Sequence, residues 1–188
     1  MFWASKEKLS RCNFDIEKIA EQGMFFHSHE FTPNAPTHLY SFLDFVNEYL
    51  LYIKEEGAHR IILDDLVPYI WYFAQKDPDT IVFTQLERFF YKMNHPMFEP
   101  MCIDISIYDT HYLKELLGDR KFPDGTYMGD HIDEIREFQK YFLREANRIV
   151  RQQLFRNPGC TILFYSGKED RDSDFMSWIT ASNLHGIL

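Results

Sequence analysis

The tetrapeptide His27-Ser28-His29-Glu30 carries the residue types best suited to chemistry. On a strand, two histidines at i and i+2 point to the same face and can share a metal, and imidazole suits zinc, iron or nickel. With Glu30 as a carboxylate ligand, His27 and His29 predict one reading of the chain: a small metal-dependent enzyme, hydrolase-like, with a divalent transition metal. The neighbourhood does not complete the set. Pro33 and Asn34 stand where a further carboxylate would be wanted, and the H-E-x-x-H spacing that places two imidazoles on one helix face is absent. The plainer reading is a polar strand edge with incidental histidines and no cofactor.

A second cluster is acidic. Glu169, Asp170, Asp172 and Asp174 form a loop that opens like a calcium-binding loop, D-x-D-x-D, and then departs from it. The sixth position is Phe175 where the sharp turn needs Gly, and the twelfth is Ala181 where a bidentate Glu is needed. What remains is an acidic patch able to dock on a basic protein. Asp104, Asp109 and His111 lie at and after a predicted strand, but Asp109 is placed to cap the next helix. Arg136, Lys140, Arg144, Arg148 and Arg151 form a basic row along one long helix. Asp133, Glu137 and Glu145 lie within pairing range of it, so the row reads as a solvated face before it reads as a phosphate grip. Cys102 and Cys160 fall on apolar strands, where cysteines are usually inert. Glycine-rich phosphate loops and a G-x-S-x-G nucleophile motif are missing.

These groups must be positioned by a chain of 188 residues, long enough for one domain over residues 1–188 with a sizeable core. The formal charge is −9, which weighs against nucleic acid as a partner and favours a basic protein. Hydrophobic residues make up 45% and aromatic ones 17%, which excludes an ordinary disordered tail. Three cysteines without C-x-x-C spacing argue against a disulfide framework. The first residues reach charge too soon for a signal peptide, and no apolar run is long enough to span a membrane. The expected location is the cytoplasm.

Apolar spacing of three and four predicts helices over 15–22, 37–56, 66–75, 80–93, 110–117, 131–156 and 174–182. The helix over 66–75 has almost no polar face and belongs at the centre of the core. Strands are expected over 24–31, 59–63, 101–108 and 160–165, the third because Ile103, Ile105 and Ile107 alternate with Asp104 and Ser106. The fold class is therefore α+β, mainly helical, with about six helices and a small sheet of two to four short strands in a single domain.

Negative charge, surplus rings able to anchor an interface and the lack of a complete catalytic set together predict a non-enzymatic binding module. Its concrete form is an inhibitor or toxin-immunity protein that neutralises a basic partner through Glu169, Asp170, Asp172 and Asp174. Phe2, Trp3, Phe25, Phe26, Tyr127 and Trp178 fall in weakly periodic segments and are the rings free for such an interface.

Overall fold

A computed structural model of the protein describes residues 35–55, 57–163 and 172–184. Over these residues the fold is α+β and mainly helical, with six helices, two 3-10 turns and a three-stranded sheet. The helices are α1 (Leu39–Glu55), α2 (Leu66–Ala74), α3 (Asp79–Met93), α4 (Thr110–Tyr112, continued by a π turn over Leu113–Leu117), α5 (Ile132–Gln153) and α6 (Ser173–Leu184). The strands are β1 (Arg60–Leu63), β2 (Cys102–Tyr108) and β3 (Gly159–Leu163).

The strand order is β1-β2-β3 and both pairings are parallel. Parallel neighbours need a crossover, and α2 with α3 supplies the first and α4 with α5 the second. Each strand is added on the same side of the last, so the chain winds in one direction, without the reversal of a doubly wound sheet. Register decides the faces. Arg60 lies opposite Cys102, and Asp104 opposite Gly159, which puts Ile61, Leu63, Ile103, Ile105, Ile107, Cys160 and Ile162 on one face. The Ile and Leu of that face on β1 and β2 are buried. Arg60, Ile62, Cys102, Asp104, Ser106, Tyr108, Gly159, Thr161 and Leu163 alternate onto the other face, where Arg60 pairs with Asp104 at 2.6 Å. Glycine at 159 leaves that pair undisturbed, because a Cβ there would press on Asp104 Oδ1.

The core forms around α2, buried from Leu66 to Ala74 except at Tyr72. Most of the described aromatic side chains pack here. Phe42 stacks on Phe73 at 4.8 Å, Tyr72 on Phe122 at 4.8 Å, and Phe90 meets Phe142 edge-on at 6.1 Å. At the end of α1, Gly57 takes a φ of +90° and the two bonds of a Schellman cap follow: Gly57 N–H to Lys54 and Ala58 N–H to Ile53. Helix α5 stops at Gln153, three residues before the predicted end. Leu154 turns left-handed with φ of 54°, and Asn94 Oδ1 accepts from both Arg156 and Asn157 N–H at 2.8 Å, taking those donors away from the helix.

Asn157 then ties together the amino ends of the strands. Its Oδ1 accepts from Ile103 N–H at 3.1 Å, and its Nδ2 donates to the carbonyls of Met93 at 3.3 Å and Met101 at 3.2 Å. Asn94 Nδ2 donates to the Asn157 carbonyl at 2.6 Å and to that of Phe90 at 2.8 Å. The end of α3, the loop before β2 and the entry to β3 are thus joined through two asparagines. Among the described residues no helix is long and apolar enough to cross a membrane.

Candidate functional site at the carboxyl ends of the strands

Polar side chains from separate elements meet beyond the carboxyl ends of β1 and β2. Here β1 runs into Asp64 and Asp65, and β2 into Asp109 and α4. Asp64 continues the alternation of β1 onto the face that carries Ser106 and Tyr108. The buried Ser106 hydroxyl donates to Asp64 Oδ1 at 2.7 Å, and the Tyr108 hydroxyl donates to the Asp64 backbone carbonyl at 2.6 Å. Tyr112, on the first turn of α4, stacks on Tyr108 at 5.0 Å. Burial, and next the Asp64 carboxylate, raise the Tyr108 phenol well above its ordinary pKa, and the same two causes raise Tyr112. Both rings keep their protons at neutral pH.

The other carboxylates at this edge are committed to the fold. Asp65 is paired with Arg120. Asp109 Oδ1 accepts from Tyr112 N–H at 2.7 Å, the cap that the sequence predicts. Asp172 joins two helices: one oxygen accepts from the Thr110 N–H at 3.2 Å and hydroxyl at 2.5 Å, the other from Phe175 N–H at 3.0 Å. Burial pushes Asp172 up, but the Thr110 hydroxyl and the two backbone donors outweigh it and hold its pKa below the usual carboxylate range.

That direction has a consequence for stability. A carboxylate whose folded pKa is depressed contributes in full above its unfolded pKa, and the contribution is lost as pH falls through the folded value. Asp172→Ala is expected to cost about 1–2 kcal/mol at pH 7, the usual worth of a helix cap, and much less at pH 3. Urea unfolding at the two pH values checks this, and an equal cost at both would refute it.

Gln139 completes the site from beneath. Strand β1 ends opposite Ile105, so it does not reach Tyr108. The Gln139 carboxamide, fully buried on α5, takes the place of the missing strand, accepting from Tyr108 N–H and donating to Tyr108 C=O, each at 2.9 Å.

The other predicted groups are distributed as follows. His27, His29, Glu30, Glu169 and Asp170 lie outside the described residues, as do the helix over 15–22, the strand over 24–31 and Phe2, Trp3, Phe25 and Phe26. Asp174 is exposed and pairs with Lys140 at 3.2 Å. Tyr127 is exposed, whereas Trp178 is half-buried with its ring edge-on to Phe175. Four members of the basic row are ion-paired: Arg136 and Lys140 share Glu137, and Arg144 and Arg148 share Glu145. Arg148 also lies over the Phe83 ring at 3.8 Å, and Arg144 over Tyr141 at 5.4 Å. Burial, and secondarily Asp104, push the Cys160 thiol up to about 12, so it is no nucleophile at neutral pH. Cys102, expected in the core, is exposed beside the Arg156 guanidinium. Among the described residues no three His, Cys, Asp or Glu side chains gather as metal ligands would.

No protein-family model matches the chain, and neither does any curated protein. Solved structures do. The chain is similar to the anaerobic ribonucleotide reductase of Thermotoga maritima with dATP in its specificity site, with a TM-score of 0.79, 22% identity, and 90% of this chain and 31% of that one covered. The same enzyme with citrate in the active site gives 0.78, 23%, 91% and 33%. In complex with dATP and CTP it gives 0.79, 23%, 90% and 30%. The chain thus spans about a third of the length of the structures it matches, and the shared property is the fold.

This finding overturns the reading of the chain as an inhibitor or immunity protein with a basic protein partner. The fold recurs as part of an enzyme, and the ligands named with that enzyme include the nucleotides dATP and CTP. The physical reason for the error is the aromatic content. Phe42, Tyr69, Phe73, Phe89, Phe90, Phe122 and Phe142 are almost inaccessible core, and of the six rings read as free for an interface the described residues include only Tyr127, which is exposed, and Trp178, which is half-buried.

Proposed function

We propose that the chain is an intracellular component of a ribonucleotide-reducing enzyme of the anaerobic type, and that the carboxyl ends of β1 and β2 form part of the wall facing the nucleotide. The observation that carries this reading is the fold likeness over 90% of the chain at a TM-score of 0.79. A carboxylate, a hydroxyl and a stacked tyrosine pair gathered at the carboxyl ends of β1 and β2 support it. Reduction replaces one ribose hydroxyl by hydrogen and releases water, consuming two electrons and two protons from an external reductant such as a dithiol or a small organic acid. An anaerobic extract of the native cells, assayed for conversion of CTP to dCTP, tests the reading. The activity is expected to fractionate with this chain and to be removed by an antibody against it. Activity that survives complete depletion of the chain would overturn the proposal.

A further inference from the structure

We infer that Asp64 is the residue of this chain that recognises the ribose hydroxyls of the nucleotide, a specificity role that rests on the function proposed above. The neighbouring carboxylates at this edge are all used by the fold. Asp65 is held by Arg120, Asp109 by the start of α4, and both oxygens of Asp172 by Thr110 and Phe175. Asp64 differs from all three. Its Oδ1 accepts from Ser106 and the Tyr108 phenol lies beside its carboxylate, yet the residue is exposed, which leaves the carboxylate accepting capacity toward solvent.

A carboxylate with one oxygen fixed and accepting capacity left toward solvent is a directed acceptor for a hydroxyl donor. It is preorganised, because Ser106 is fully buried and the Tyr108 hydroxyl holds the Asp64 backbone carbonyl. Its charge disfavours a phosphate, which leaves the sugar as the part of a nucleotide that it suits. Tyr112 adds a flat, half-exposed ring next to it, backed by Tyr108, on which a base or the sugar face can rest. Hydroxyl, carboxylate and ring come from β2, the end of β1 and α4, and only the parallel register of β1 and β2 brings them together.

A site that hydrogen-bonds a substrate hydroxyl discriminates against the analogue that lacks it. The test compares CTP with dCTP binding by equilibrium dialysis, using protein purified from native cells that carry wild-type chain, Asp64→Asn, Ser106→Ala or Asp174→Asn. Wild type is expected to prefer CTP. Asp64→Asn is expected to weaken CTP about tenfold and leave dCTP nearly unchanged, the loss of one charge-assisted hydrogen bond at a half-open site. Ser106→Ala, which releases Oδ1, is expected to weaken CTP by a smaller factor, and Asp174→Asn to change neither ligand. Near-ultraviolet circular dichroism confirms that each variant is folded. An unchanged CTP to dCTP ratio in Asp64→Asn, with CTP still bound, overturns the role of Asp64 and leaves the proposed function standing. Failure of the wild-type protein to bind either nucleotide removes the function, and the inference with it.

Discussion

Asn157→Ala is expected to lower the free energy of unfolding by about 3–6 kcal/mol, enough to bring a domain of ordinary stability close to unfolding. Asn157 is 6% exposed, and its carboxamide makes three bonds to backbone: from Ile103 N–H and to the Met93 and Met101 carbonyls. Alanine removes all three partners. Each buried backbone group left without one costs roughly 1–3 kcal/mol before the structure relaxes, so a net loss of about 3–6 kcal/mol outweighs the small loss of packing. Asn157→Asp separates polar from steric causes, because it preserves the shape and the acceptor for Ile103 but turns a carboxylate oxygen toward two carbonyls. It is expected to be as damaging as alanine. Denaturant unfolding measures both, and a cost under about 1 kcal/mol for either would show that water replaces the side chain.

The second large effect is expected at Gln139. Gln139→Leu fills nearly the same volume but leaves the Tyr108 N–H and C=O unpaired in a fully buried position, at a cost of about 2–5 kcal/mol. The Tyr108–Tyr112 stack should loosen with it, since Tyr108 is held from the backbone side by this one residue. Gln139→Glu gives a diagnostic pH dependence. The introduced carboxylate is buried, so its folded pKa rises above the unfolded value. Protonated, it can both accept and donate as the glutamine does; ionised, it can only accept. Stability is therefore expected to be highest below the ordinary carboxylate pKa and to be lost as pH rises through the folded value. Thermal unfolding from pH 4 to pH 8 checks the sign, and a flat profile would refute it.

Both residues show what a sequence window can and cannot reveal. Helices α1, α2, α3 and α5 and the three strands were legible because their apolar residues recur at the period of the element that buries them. Asp109 was legible as a cap because its partner is three residues away. Gln139 occupies the buried stripe of α5 between Ile135 and Phe142, and that position was a signal that a polar group had a partner inside. Nothing nearby named the partner, which is 31 residues away. Asn157 stands in an Asn-Pro-Gly run that locally signals no more than a helix stop, although its side-chain bonds reach across 54 to 64 residues.

The residues read first for their chemistry fared differently. His27, His29 and Glu30 fall outside the described residues, and the acidic loop is represented by Asp172, turned inward, and Asp174, paired on the surface. The edge that does carry a candidate site drew little notice in the sequence. Asp64, Ser106, Tyr108 and Tyr112 share no motif and no spacing.

By itself, the sequence determined the elements, the central place of α2 and the balance of helix over strand, because burial of an amphipathic face is a local periodic property. It could not determine which strands are neighbours, since pairing depends on contacts more than forty residues apart along the chain. Only the tertiary structure decided that the sheet is parallel and winds one way. That register sets Asp64 against Ser106, carries the buried rings into the core, and leaves the Asp64 carboxylate facing solvent at the end of β1.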